Sequence, residues 1–208
     1  MESEGSRATY DWRPDRGTVL AWNVLALLLF VVGLVVFGLP AVASSGHGSV
    51  TVVFTVTEIP VGLLLLAGVT TALFLMHEGV HALVMRLFGA RPRFGVTMVA
   101  GLLPELYTTA PGHVFGRMQY VSVAVAPALV LSALGFVACL SPFGGYLVVP
   151  LAIHLSGCVG DAHATLRTLR QPAGTGCEDL QDGIRFHALA RGADEGEAHL
   201  ASTTRDSR

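Results

Sequence analysis

Four apolar stretches punctuate the chain, at about 18–40, 61–88, 118–140 and 146–166, separated by short segments rich in polar residues, glycine or proline. A helix rising about 1.5 Å per residue needs roughly 20 apolar residues to cross about 30 Å of hydrocarbon, so each stretch predicts a transmembrane helix. The first, TVLAWNVLALLLFVVGLVVFGLP, is unbroken. The following Ala41-Val42-Ala43 resembles a signal-peptide cleavage site. However, the run is longer than the roughly 7–15 residues of a signal-peptide core, and the arm before it holds no fewer acids than bases. A retained anchor is expected. Pro127 is expected to bend the third span. Between the spans, residues 49–59 (SVTVVFTVTEI) are β-branched and predict a strand on the outer side. Residues 93–110 (RFGVTMVAGLLPELYTTA) are also strand-like, with Gly95, Gly101 and Pro104 as breakers, and predict a short cytoplasmic hairpin.

Composition agrees with this pattern and narrows the class. Of the 208 residues, 52% are hydrophobic and 13% charged, with a mean hydropathy of +0.60. A soluble domain carries about 25% charged residues, so that class is excluded. A net charge of −2 with no basic block excludes an ordinary nucleic-acid binder. The cysteines Cys139, Cys158 and Cys177 are too few and too scattered for a disulfide framework. Every basic residue is arginine, and their distribution sets the orientation. The arm carries Arg7, Arg13 and Arg16, the 89–117 segment Arg91, Arg93 and Arg117, and the tail begins with Arg167. The segments 41–60 and 141–146 have none. By the positive-inside rule both termini are cytoplasmic.

The expected fold is an all-α membrane protein with four transmembrane helices and a strand-like cytoplasmic hairpin between the second and third. The expected organisation is a cytoplasmic arm at 1–17, a membrane domain at 18–170 and a cytoplasmic tail at 171–208, its last dozen residues disordered. A multi-pass protein of a prokaryotic cell membrane is the expected location.

Charge is so rare in the spans that each instance stands out. Between 18 and 85 the charged residues are Glu58, at the external edge, and Glu78; between 118 and 166 there is Asp161. An acid at mid-bilayer costs on the order of 2.5–3.5 kcal/mol, so such residues are functional candidates. Glu78 belongs to His77-Glu78-Gly79-Val80-His81, an HExxH motif. Residues i and i+4 share a helix face, so His77 and His81 can offer two imidazoles to one metal, with Glu78 beside them to hold a water. The other reading is polar residues lining a helix contact. A catalytic zinc wants a third protein ligand and an open position, and Asp161 is the candidate. Counted from their entry points near 61 and 146, His77 lies about 24 Å and Asp161 about 22 Å along parallel spans, at nearly one depth.

His154, Cys158 and Asp161 follow i, i+4, i+7 spacing on one face. Cys158 offers a thiolate ligand or a small packing side chain. His154, two turns above Asp161, is too far for the same metal but near enough to contact substrate or a residue that holds the metal. His163 points elsewhere, and His113 reads as a surface residue. Two imidazoles and a carboxylate suit zinc or iron(II).

HEGVH on a membrane helix, the loop YTTAPG, a span bearing AVAP, then HLSGCVGD and DLQDGI together resemble the family of putative zincin peptidases over residues 70–187. More distantly, the pattern is similar to site-2 proteases, which pair HExxH with an Asp-bearing later span. The resemblance implies that His77, His81 and Asp161 hold zinc and that Glu78 is the catalytic acid/base. Site-2 proteases carry an Asn and prolines ahead of an Asp-Gly pair. Here Gly160 precedes Asp161, Ala162 follows it, and His154 lies near the place of the Asn.

The function implied is a membrane-embedded zinc metallopeptidase cleaving membrane proteins or peptides. Two alternatives stand beside it: a non-catalytic metal-binding protein acting as sensor or staple, and a proton or metal transporter. Polar residues gathered at one depth, without inverted-repeat symmetry, weigh against transport. Glu178, Asp179 and Asp182 in the tail suggest a docking element or a solvated acidic stretch.

Overall fold

The computed structural model describes residues 9–46, 48–49, 55–99 and 103–188. In chain order the elements are β1 (Thr9–Trp12), α1 (Arg16–Ser45), α2 (Ile59–Leu87), β2 (Arg93–Val99), β3 (Leu103–Thr109) and β4 (Val114–Gly116). Then follow α3 (Arg117–Ala138), α4 (Gly144–Gly157), α5 (Val159–Leu169), β5 (Gly176–Leu180) and β6 (Gly183–His187). Helices α1, α2 and α3 and the joined α4–α5 are each long and apolar enough to cross a membrane. The protein is an all-α membrane protein with a short hairpin, β2–β3, between the second and third spans.

Local chemistry sets the helix ends. The Asp15 carboxylate accepts the Thr18 N–H at 2.7 Å and caps α1. Gly46, at φ +69°, stops the helix in the left-handed region. Pro60 lies in the first turn of α2, where its missing N–H costs nothing. Gln119 reaches back to the Gly116 N–H at 2.8 Å at the start of α3. Many large side chains on α1 and α2 stay exposed, among them Leu20, Leu27, Leu28, Leu63, Leu64 and Leu65. Such a leucine surface belongs against lipid.

With lipid as apolar as leucine, helices associate through close packing at small residues. Helix α1 meets α4 at Gly33, where an added Cβ would stand 2.8 Å from the Ala152 Cα. Gly135 of α3 faces Leu151, and Gly157 receives the ring of Phe74. Phe37, Ala41, Cys139 and Leu151 form one buried cluster of this bundle.

Two features depart from the sequence reading. The strand expected at 49–59 is not what residues 55–59 form: Thr55–Glu58 make a turn, with the Glu58 N–H donating to the Thr55 carbonyl at 2.9 Å, and Ile59 opens α2. Residues 50–54 lie outside the described residues. The fourth span breaks at Cys158 (φ −72°, ψ 5°), so α4 and α5 are separate helices. Pro127, expected to bend the third span, lies inside α3. The expectation of disorder over the last dozen residues falls outside the described residues.

The arm and the tail meet in one antiparallel sheet of order β1-β6-β5-β4. Tyr10 pairs with Phe186, Phe186 with Cys177, and Cys177 with Phe115. One face of this sheet, through Trp12, Phe115, Cys177, Ile184 and Phe186, packs on Met85, Tyr120 and Val123 at one end of the bundle. Arg185 grips Asp11 through two hydrogen bonds of 2.7 and 2.9 Å, and Arg13 pairs with Asp182. At Gly183 a Cβ would strike the Trp12 carbonyl, so this tight approach of β1 to β6 requires glycine.

The close approach of α1 to α4 is testable. Gly33→Val is expected to destabilise the bundle by roughly 1–3 kcal/mol through overpacking, seen as a lower thermal unfolding midpoint in detergent. Gly68→Val, with nothing within 4 Å of the added Cβ, serves as control. Equal midpoints for the two variants would remove the contact from the packing argument.

Candidate metal centre

His77 and His81 lie one turn apart on the buried face of α2, and Asp161 lies in the first turn of α5. A carboxylate in a first turn is favoured by the helix dipole. The break at Cys158 gives Asp161 this position, and the seating of the Phe74 ring on Gly157 draws the junction onto α2 one turn above His77. The result is convergence. His77 Nε2 lies 3.0 Å from His81 Nε2 and 3.1 Å from Asp161 Oδ2, and His81 Nε2 lies 3.5 Å from Asp161 Oδ1. Both imidazoles are buried, and the Asp161 side chain is 24% exposed, toward a cavity of about 230 Å³. A carboxylate oxygen of Glu78 and ring nitrogens of His77 and His81 all lie within 4.8 Å of one another, and Glu78 lines the same cavity.

The outer nitrogen of each histidine is held differently. His81 Nδ1 donates to the Val123 carbonyl at 2.9 Å. In an uninterrupted helix that carbonyl would accept from the residue four positions on, but that residue is Pro127, which has no N–H. The proline expected to bend α3 therefore leaves a buried acceptor free for His81. His77 Nδ1 meets His154 Nε2 at 3.1 Å, with Cys158 Sγ 3.9 Å from each nitrogen. Thus Cys158 stands on the Nδ1 side of His77, whereas His81 and Asp161 stand on its Nε2 side.

The donor set fits a zinc-sized ion. Ligand atoms each about 2.0–2.2 Å from a tetrahedral ion stand roughly 3.3–3.5 Å apart. The separations between the two Nε2 atoms and the Asp161 oxygens, 3.0 to 3.5 Å, span this range to within a few tenths of an ångström. His81 also has the protonated outer nitrogen, bonded to a carbonyl, that is usual for a metal-ligating imidazole.

Sequence reasoning passed over three other residues of this cavity. Tyr120 of α3 donates its hydroxyl to Asp179 Oδ1 at 2.9 Å, and both line the cavity. Thr108 of β3 donates to the Glu78 carbonyl at 3.2 Å and fastens the hairpin to the HExxH turn. Asp179 was legible only as an acid in a polar tail. Burial pushes its carboxyl up to about 6, against the opposing hydrogen bonds from Tyr120 and Thr109. The tail acids make contacts within the chain. Asp182 pairs with Arg13, and Glu178 accepts from the Gly112 N–H at 2.9 Å and lies 3.2 Å from His187 Nε2. Two other histidines are engaged elsewhere: His163 accepts the Trp22 indole N–H at 2.7 Å, and His113 meets the Phe115 ring edge-on.

Residues 70–175, half of the chain, match the family of putative zincin peptidases. The chain belongs to that family. The stretch matched by this zincin-peptidase family contains His77, Glu78, His81, His154, Cys158 and Asp161, and it ends just before β5. Comparison with curated proteins and with solved structures returned no match.

The Asp179 environment generates a pH dependence. Its folded carboxyl titrates near 6, above the ordinary 3.8, so the folded state holds this proton more tightly than the unfolded chain. The associated stability is complete below about 4 and is lost as pH rises through about 6. Wild type is therefore expected to lose stability relative to Asp179→Asn between pH 4 and 7, measured by thermal unfolding in detergent. Parallel profiles for the two proteins would show that Asp179 ionises without penalty.

Proposed function

We propose that the protein is a membrane-embedded zinc metallopeptidase that hydrolyses peptide bonds of membrane-associated proteins or peptides. The observation that carries the reading is the meeting of two imidazoles from α2 with a carboxylate from α5, beside a second acid, Glu78, in one cavity. His77 Nε2, His81 Nε2 and Asp161 would hold the metal. A zinc ion bound there supplies Lewis acidity, polarising a carbonyl and lowering the pKa of a water.

The chain's own residues do the rest. Glu78 takes the proton of the attacking water and delivers it to the departing amine. Asp161 would bring the one negative charge of the ligand set, beside two neutral imidazoles. The Tyr120 hydroxyl, held by Asp179, is a further hydrogen-bonding group lining the cavity. A transmembrane substrate hides its carbonyls in helical hydrogen bonds and has to unwind before attack. Among the described residues β3 pairs only with β2, and Leu106, Tyr107 and Thr108 of β3 line the cavity. An unwound substrate segment can therefore add to the open edge of β3 by β-augmentation. Under the arginine asymmetry of the loops, the cavity opens near the cytoplasmic face and water has a short path to it.

The test is metal content set beside cleavage. Glu78→Gln is expected to keep one zinc per chain and to lose cleavage of co-purified or co-expressed membrane substrates by at least about 100-fold, at the low end of general acid–base contributions. Cleavage surviving in Glu78→Gln would remove Glu78 from the chemistry. His81→Ala and Asp161→Ala are each expected to lower bound zinc in purified protein, and full zinc in Asp161→Ala would transfer the third position to another residue. A subtler variant follows from α3. Pro127→Ala restores an N–H that competes for the Val123 carbonyl, so zinc affinity is expected to fall about tenfold, the lower end for loss of an outer hydrogen bond. Unchanged affinity would separate His81 from the proline.

A further inference from the structure

The second nitrogen of His77 faces a cluster the proposed peptidase chemistry does not use. His77 Nδ1 on α2, His154 Nε2 on α4 and Cys158 Sγ at the α4–α5 break lie within 4.8 Å of one another. The nitrogens are 3.1 Å apart and the sulfur is 3.9 Å from each. All three residues are buried, at 6%, 0% and 4% exposure. The Cys158 thiol bonds the His154 carbonyl at 3.3 Å, through the helix turn. Three atoms able to ligate a metal thus converge, and in the absence of an ion one of the two ring nitrogens donates to the other. An ion holding nitrogen at about 2.0–2.1 Å and sulfur at about 2.3 Å sets its ligands roughly 3.3–3.6 Å apart, within a few tenths of an ångström of the separations here.

We propose that His77 Nδ1, His154 Nε2 and Cys158 Sγ form a second metal position, selective for a soft monovalent ion such as copper(I), which competes with the His77–His81–Asp161 position. Softness follows from the sulfur, since thiolate ligands select copper(I). Monovalence follows from charge: one thiolate against one positive charge leaves a buried site neutral, whereas a divalent ion would leave an uncompensated charge. On binding, the Cys158 S–H bond breaks, its proton leaves to water, and a sulfur–metal bond forms without change of oxidation state.

Competition follows from His77. A neutral imidazole has one lone pair, so the ring serves one position at a time. With the soft ion on Nδ1, the ring proton moves to Nε2, where Asp161 Oδ2 at 3.1 Å accepts it. Gly157 and Gly160, on either side of Cys158 in sequence, line the main cavity and give an ion its approach. The consequence is a peptidase centre that copper(I) switches off by taking one of its ligands.

The experiment uses the full chain in detergent without oxygen, titrated with chelator-buffered copper(I) and, separately, with zinc. Wild type is expected to bind one copper(I) with thiolate-to-metal absorption in the ultraviolet and to release zinc as it does so. Cys158→Ser is expected to lose that absorption and at least tenfold in copper(I) affinity while still binding one zinc. His154→Gln, folded by the criterion of an unchanged unfolding midpoint, is expected to lose copper(I) affinity similarly. His81→Ala is expected to keep copper(I), which reads this position independently of the zinc position. Absorption persisting in Cys158→Ser would assign the binding to Cys139 or Cys177 and overturn the proposal, as would copper(I) bound without displacement of zinc. A wild type that binds copper(I) but never zinc would instead overturn the peptidase reading together with the competition, leaving the thiolate position standing.

Discussion

The structure turns on placing one carboxylate, Asp161, against two imidazoles inside an apolar bundle. An acid taken out of water costs several kcal/mol unless partners receive it. Here the partners lie on another helix, so the helices have to be drawn together at that depth. Two devices do this: a glycine at 157 that admits Phe74, and a helix break at Cys158 that restarts the chain so that Asp161 falls in a first turn. Neither carries charge, yet together they set where the charge goes. Removing either imidazole would take away one of the carboxylate's two partners.

The sheet at one end of the bundle belongs to the same construction. Its four strands come from three parts of the chain, the arm, the β4 segment before α3 and the tail, and its apolar face closes over Met85, Tyr120 and Val123. Through β5 it delivers Asp179 to the cavity wall, and through the separate hairpin Thr108 reaches the carbonyl of Glu78. The cavity is therefore framed by membrane helices on one side and by extended backbone on the other. An extended edge beside buried acids is what hydrolysis of an unwound peptide requires.

The spans and the HExxH–Asp161 set were legible because the bilayer imposes a length on helices and a cost on charge, and both costs leave marks in one dimension. The departures come from interactions that leave no such marks. The β-branched run ending at Ile59 reads as strand, but valine and threonine are equally at home beside a membrane helix, and Pro60 supplies a helix start. The break at Cys158 has no proline to announce it. Strands β5 and β6 are five residues each, and one of the two strands that β6 pairs with is β1 in the N-terminal arm, so Ile184 and Phe186 look incidental until Trp12 arrives. Asp179 reads as a solvated acid because its burial depends on Tyr120, some sixty positions earlier.

The two histidines illustrate how unlike two members of one motif can be. His81 donates to the Val123 carbonyl, and a carbonyl can only accept, so the proton on Nδ1 is fixed and Nε2 is the nitrogen that faces Asp161 and His77. That acceptor is available because Pro127 withholds the N–H that would otherwise claim it. His77 has no such anchor. Its outer neighbour is another imidazole, which donates or accepts as its own tautomer dictates, with a thiol alongside. One ligand is locked by backbone and the other is left to side chains that can change partner. Any influence on this centre from outside the cavity therefore has one natural point of entry, the Nδ1 side of His77.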